Sequence, residues 1–365
     1  MKKNIAFIYF IFIIFNISML DASPKVLHLT FHRGCQTEVE ALAQEFSLDL
    51  TTWFIPDLPP GWFDGQAQGC ALYNIDHARA ERIWQLHKPF FETFDAIITT
   101  DTAPLARIFL QNHWKKPLIV WICNRFDYTD QASLDCTFPD PEYYSLFSKA
   151  HSQSNVKVIA YTEFEHYYAL SKGVHTGKLT ITPGLTTCQE SKHSLIPSMV
   201  SKPQSFFLPP YHNETHFMDL SGHCNSLGLS NYCGRYNGPY DLKDFKGIIH
   251  IPYAWSNLSL FENLQLGIPY FIPSPSFLFE LSLKNTFFHQ DISYLINHNL
   301  IHLSEWYNQL HAPLFIYFDS WQDLQYKANH TDYTFQRKKI AAFSQKYRKR
   351  LLQKWEKVLI ELKLK

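Results

Sequence analysis

No two of the seven cysteines (positions 35, 70, 123, 136, 188, 224 and 233) stand in a CxxC pair, which argues against a structural zinc site and a thioredoxin-type motif. Their odd number leaves at least one thiol free or intermolecular. Net charge is also missing. Lys+Arg and Asp+Glu both number 33, so the chain is not built as a whole for nucleic acid. There is no Walker-type phosphate loop, no GxGxxG after a strand, no HExxH and no GxSxG. No internal repeat or low-complexity tract breaks the sequence. What is present is apolar: 46% of the residues, including 30 Phe, 20 Tyr and 9 Trp. That is ample for a large core and far from the composition of a disordered chain. At 365 residues the length suits two ordinary domains or one large one.

The charge balance hides an asymmetry. Residues 337–365 hold eleven Lys/Arg and two acids, so the rest of the chain is acidic by a matching amount. At the other end, Lys2-Lys3 precede an apolar run from Ile5 to Leu20, and Asp21-Ala22-Ser23 follows. This is the charged, apolar, small-residue order of a secretory signal, and residues 1–23 are expected to be cleaved or to stay as an N-terminal anchor. Either way the body is expected in the secretory pathway or outside the cell. Asn213, Asn257 and Asn329 each begin an acceptor triplet for glycosylation there.

Along the body, apolar runs of strand length alternate with helical periodicity. Strands are expected at 25–31, 95–100, 118–123, 156–161 and 178–182, with helices from Thr37, over 77–93, from Asp101 and over 163–170. The Pro- and Gly-rich stretch 53–74 reads as a loop. After a polar tract a second series follows: strands at 205–208, 247–252 and 268–272, and helices within 212–229 and over 256–266. Unbroken apolar strands separated by helices imply parallel sheets covered on both faces. The expectation is therefore α/β, with two Rossmann-like parallel-sheet domains facing a cleft. Residues 24–183 form the first, 184–204 the linker and 205–334 the second. Residues 335–365 form a basic amphipathic helix whose apolar stripe is Ile340, Phe343, Tyr347, Leu351, Trp355, Leu359 and Leu362. That stripe suits packing on the body, and its basic face offers the alternative of lying on a membrane surface.

The richest segment is GIIHIPYAWSNLSLFENLQLGIPYFIPSP, residues 247–275, a complete strand–loop–helix–strand unit. In an open parallel sheet, ligands sit at the carboxyl ends of the strands, where the next helix offers free N–H groups and a positive dipole end. Glu262, near the start of that helix, suits a pair of sugar hydroxyls because a carboxylate accepts and does not donate. Here the chain resembles the C-terminal domain of GT-B-fold glycosyltransferases, which use nucleotide-sugar donors. The resemblance is clearest over 235–275 and implies a glycosyltransferase. Glu262 would hold the donor ribose, with Asn263 beside it. Ser256 and Asn257 would stand at the pyrophosphate, Tyr253 would line the pocket and Arg235 would approach the same cleft. Many retaining members carry a second Glu eight positions earlier, where this chain has Ala254. Asp-x-Asp, the metal signature of the other large glycosyltransferase fold, is absent, so no metal and no further cofactor are expected.

Ser259 and Glu262 also match a capping box, which would make Glu262 a helix cap and nothing more. In the first domain His32-Arg33-Gly34 follows the first strand. His32 suits a general base, Arg33 a phosphate and Gly34 a close backbone approach, and an ordinary tight turn is the plain alternative. Arg125 and Asp127 follow another strand. Asp127 is the second acid–base candidate, and Arg125 suits acceptor or phosphate binding or a structural ion pair. Asp101 reads as a helix N-cap first and a ligand contact second, and His250 as a core residue with a cleft-facing position as the alternative. His212 and His216, four apart, read as a surface pair. The expected partners are a nucleotide-sugar donor and a glycan, lipid or protein acceptor. An exported two-domain solute- or glycan-binding protein without catalysis fits the same plan.

Overall fold

The computed structural model of the chain describes residues 23–66, 73–128, 140–186, 204–210, 218–236, 238–284 and 290–365. Most of the expected export segment, Cys70, Cys136, Cys188, the Asn213 triplet, His212, His216 and most of the 184–204 linker lie outside these residues. No described helix is long and apolar enough to cross a membrane.

The first sheet is built from β1 (Lys25–Thr30), β2 (Asp49–Phe54), β3 (Ala96–Thr99), β4 (Leu118–Ile122) and β5 (Val156–Ala160), in the order β2-β1-β3-β4-β5. Every pairing is parallel. Four of these are the expected apolar runs, and their side chains are almost wholly buried. The fifth differs from expectation. Residues 178–182 contribute only a single bridge, Ala160 to Thr180, while β2 forms the opposite edge. As an edge strand β2 is half exposed, so its DLTTWF sequence lacks an apolar run. The connecting helices are α1 (Arg33–Phe46), α2 (His77–Phe91), α3 (Arg107–Gln111), α4 (Pro141–Ala150) and α5 (Glu163–Ser171).

The second sheet repeats the plan with β6 (Phe206–Leu208), β7 (Asn231–Cys233), β8 (Gly247–Ile249), β9 (Tyr270–Pro273) and β10 (Ile316–Phe318) in the order β10-β9-β8-β6-β7, again all parallel. Between them run α6 (Leu220–Ser226), α7 (Leu258–Gln265), α8 (Pro275–Lys284), α9 (Gln290–Asn297) and α10 (Trp321–His330). In each sheet the strand order reverses once, between β1 and β3 and between β6 and β8. Ligands of open parallel sheets bind at such reversals, outside the carboxyl ends of the strands.

The terminal helix, α11 (Tyr333–Glu361), ties the halves together. Its first part sets Ile340 into the core of the second sheet, beside Phe261, Leu264 and Ile268. Its last turns set Leu351, Trp355, Val358 and Leu359 against Val26, Ile119 and Trp121 of the first. Trp355 is fully buried, with its ring centroid 4.8 Å from that of Trp121 and nearly perpendicular to it. The apolar stripe is therefore used in packing. Near the crossover between the sheets, buried Glu38 of α1 accepts four hydrogen bonds: from the N–H groups of Gly184, Leu185 and Thr186 at 2.6–2.8 Å, and from the Thr186 hydroxyl at 2.6 Å. Tyr347 and Arg348 of α11 donate to Thr182 and Leu185 carbonyls in the same stretch.

Candidate active site

The two reversals face one another across a single cleft of about 350 Å³. His32 and Gly34 line it from the first sheet, after β1. From the second come Pro209 and Pro210 after β6, His250 and Tyr253 after β8, and Asn257, Ser259, Glu262 and Asn263 of α7 and its cap. The volume falls in the ordinary range for a small-molecule site. Among the described residues, no lysine or arginine lines it.

The N-termini of α1 and α7 meet at this cleft. Helix α1 begins at Arg33, four residues earlier than the sequence pattern suggested, so His32 is its N-cap and not part of a tight turn. The His32 Nδ1 lies 3.0 Å from the Gly34 nitrogen and accepts its N–H when the imidazole is neutral. Gly34 sits where the helices approach closest, and a Cβ there would stand 2.7 Å from Leu258 Cδ1 of α7. A larger residue there would have to displace the end of the Leu258 side chain. Two helix N-termini present two positive dipole ends to the same space, which suits a phosphate-bearing ligand.

At α7 the cap is Asn257, whose Oδ1 accepts from the Ser259 N–H at 3.1 Å and the Ser259 hydroxyl at 2.8 Å. The Asn257 amide also donates to the Tyr253 hydroxyl at 2.6 Å. The capping box between Ser259 and Glu262 does not form. Glu262 instead faces the cleft, and burial, helped by the charge of Glu38 and opposed by His32, lifts its carboxyl to about 7. Buried Asn263 donates to the Tyr270 hydroxyl at 2.8 Å, while its Oδ1 has no hydrogen-bond partner among the described residues. His250 is buried, as expected of a core residue, yet it also forms cleft wall and packs 4.5 Å from the Trp306 ring.

His32 stands among acids. Its hydrogen bond with Cys35, against the opposing effect of burial, and the charges of Cys35, Asp101 and Glu262 raise it to about 9. Asp101 follows β3 with φ 68°, a left-handed conformation uncommon outside glycine, and is held by a 2.9 Å bond from the Asn124 amide to its Oδ1. Burial, with the Cys35 charge adding and His32 and Asn124 opposing, brings Asp101 to about 7. The Thr100-Asp101-Thr102 sequence suggested a cap, but neither of the helical turns that follow is capped by a side chain. Strained backbone and a shifted carboxyl beside a cleft histidine mark Asp101 as part of the site.

The remaining candidates lie off the cleft lining. Arg33 is exposed, pairs with Asp57 and lies over the Phe54 ring at 3.7 Å. Arg125 is buried among the rings of Tyr128 and Tyr168. Asp127 accepts from the Tyr144 hydroxyl at 2.5 Å and from the Tyr168 hydroxyl at 3.3 Å. Arg235 is exposed, and its neighbour Tyr236 lines the cleft instead. The Ser256 hydroxyl is buried without a partner behind the loop, and the Ala254 carbonyl accepts from Trp306 Nε1 at 3.0 Å. Tyr270 and Trp306 were not singled out by sequence, since an aromatic residue in an apolar chain carries no signal of its own.

Fold and cleft thus define a protein of two Rossmann-like halves, GT-B-like in plan. No family profile and no curated protein matches the chain. Among solved structures it is similar in chain path to SsfS6, a glycosyltransferase of Streptomyces sp. SF2575, at 11% identity and TM-score 0.42, covering 88% of this chain and 96% of that one. It is also similar to Arabidopsis thaliana UGT89C1 complexed with UDP, at 9% identity and TM-score 0.46, covering 93% and 100%. A UDP-GlcNAc 2-epimerase from Methanocaldococcus jannaschii matches at 11% identity and TM-score 0.40, covering 84% and 91%.

Proposed function

We propose that this chain is a glycosyltransferase that binds a nucleotide sugar in the cleft between its sheets and passes the sugar to an acceptor approaching from the first sheet. One observation carries the reading: both strand-order reversals and two helix N-termini converge on one cleft, where Glu262 has been left free of its expected capping role. Glu262 accepts from the ribose hydroxyls, and the Asn263 Oδ1, unpartnered among the described residues, offers one further acceptor. The diphosphate lies between the N-termini of α1 and α7. With no lysine or arginine among the described lining residues, its charge is balanced by the two dipole ends and by His32 in its protonated form.

In the transfer, the bond from the anomeric carbon to the diphosphate oxygen breaks as the acceptor oxygen bonds to that carbon, and the proton of the acceptor hydroxyl passes to the departing diphosphate or to water. The developing charge is on the departing diphosphate, and His32 with the helix ends stabilises it there, which supplies the main catalytic effect. The charge of Asp101 favours the imidazolium form of His32. The thiolate-bearing site keeps the proton on His32, so its role in that state is electrostatic and not that of the base expected from sequence. Export through the N-terminal segment completes the proposal and places the reaction where nucleotide sugars reach a secretory lumen.

The test is turnover. Incubated with a panel of uridine, guanosine and cytidine diphosphate sugars, the protein is expected to release one nucleoside diphosphate slowly to water and faster with the right acceptor. A folded protein that binds a nucleotide sugar without releasing diphosphate under any acceptor would make it a binding protein on a transferase-like scaffold.

A further inference from the structure

Two cysteines meet directly behind His32 and Asp101. Cys35 is the third residue of α1 and is buried, while Cys123 follows β4 and is partly exposed. Their sulfurs lie 3.7 Å apart. Each also adjoins the site: Cys123 Sγ accepts from the Asp101 N–H at 3.3 Å, and Cys35 lies in the first turn of α1, which His32 caps. The Tyr161 hydroxyl donates to Cys35 at 3.7 Å. A disulfide needs the sulfurs at about 2.05 Å, a closure of less than 2 Å from where they stand.

We propose that Cys35 and Cys123 are a redox-active pair, joined into a disulfide by exchange with a small-molecule disulfide such as oxidised glutathione, and that this bond sets the state of His32. The partly exposed Cys123 attacks the small disulfide, releases one thiol and forms a mixed disulfide. Cys35 then attacks Cys123 Sγ and releases the second. The protein gives up two electrons, which the small disulfide gains. The Cys123 proton and the proton shared by Cys35 and His32 leave on the two released thiols.

The structure explains why Cys35 suits the second attack. Burial pushes its thiol up, but the hydrogen bonds of Cys123 and His32, with the His32 charge, hold it down to about 5, and its place in the first turn of α1 works in the same sense. Cys123 is pushed the other way, by burial and by the charge of Cys35. Once oxidised, neither sulfur carries charge. His32 loses the hydrogen bond and the nearest anion that keep it protonated, so it becomes a neutral imidazole facing the cleft, the form a general base requires. The pair forms whether or not the cleft takes a nucleotide sugar, and only the consequence for catalysis rests on that reading.

The experiment equilibrates the full chain with glutathione mixtures from fully reduced to fully oxidised, traps free thiols by alkylation, and maps the cross-links by mass spectrometry. A Cys35–Cys123 cross-linked peptide, two hydrogens lighter than its separate parts, is the expected product, and Cys123→Ser is expected to lose it. Alkylated Cys35 and Cys123 at the oxidised end would overturn the proposal. In parallel, imidazole NMR with His32 assigned by its loss in His32→Gln follows its titration. The midpoint is expected to fall from near 9 toward the ordinary histidine value in the oxidised protein and in Cys35→Ser. An unchanged midpoint in the oxidised wild type would overturn the link to His32. Neither readout depends on transferase activity, so a failed activity assay and a failed redox assay remain separate results.

Discussion

If Glu262 accepts the ribose hydroxyls of a nucleotide sugar, its lifted carboxyl makes binding depend on pH in a narrow window. Burial, helped by Glu38 and opposed by His32, brings that carboxyl to about 7 in the free protein. Only the ionised form accepts from both hydroxyls. With that midpoint it is about one-eleventh of the population at pH 6 and about ten-elevenths at pH 8, so the dissociation constant should fall about 10-fold across the window. Nucleotide sugars carry no phosphate that titrates there, and His32, at about 9, keeps its proton throughout. Asp101 titrates near 7 as well, and its share is the slope that survives in Glu262→Gln. Calorimetric titrations at pH 6, 7 and 8 give the two slopes directly. At pH 8 Glu262→Gln should also bind at least about 10-fold more weakly, the cost of losing a hydrogen bond to a charged group. Equal slopes and equal affinities in wild type and variant would refute the placement of the ribose.

Gly34→Val would press a branched side chain where a Cβ already meets Leu258 Cδ1 at 2.7 Å, so nucleotide-sugar affinity should drop, and adding Leu258→Ala should restore part of it in a double-mutant titration. Trp355→Ala removes a fully buried ring from the contact between α11 and the first sheet. It should cost about 3–5 kcal/mol of unfolding free energy, read by calorimetry as a lower Tm. His32 is raised in the folded state, so its contribution to stability is complete below the ordinary histidine value and is lost as pH rises through about 9. A Tm-against-pH curve of the reduced protein should show that loss, and His32→Gln should flatten it.

How much of this was legible in the sequence depended on burial. Strands β1, β3, β4 and β5 are covered on both faces and read as unbroken apolar runs, and the unit from β8 through α7 to β9 was read whole. The edge strands β2, β7 and β10 were missed because one side of each faces outward and the last two are only three residues long. Gly34 and Glu262 were found because their chemistry has few uses at such positions. Arg33, Arg125, Asp127 and Arg235 were offered on the same grounds, but a charged residue after a strand has many places to go, and these four point to Asp57, to tyrosine rings and hydroxyls, or to solvent. The neighbourhood of His32, Cys35, Asp101 and Cys123 joins three loops that are far apart in sequence, and only strand order brings them together.

The most direct test of the central claim is a thermal-shift panel of nucleoside diphosphates and nucleotide sugars on wild type and Glu262→Ala. A ligand at a hundred times its dissociation constant should stabilise the fold by about 2.7 kcal/mol. The account predicts that one nucleoside series raises the midpoint of the wild type and that the rise is lost or sharply reduced in Glu262→Ala. A folded wild type that no nucleotide shifts, or a shift left intact in the variant, would contradict it.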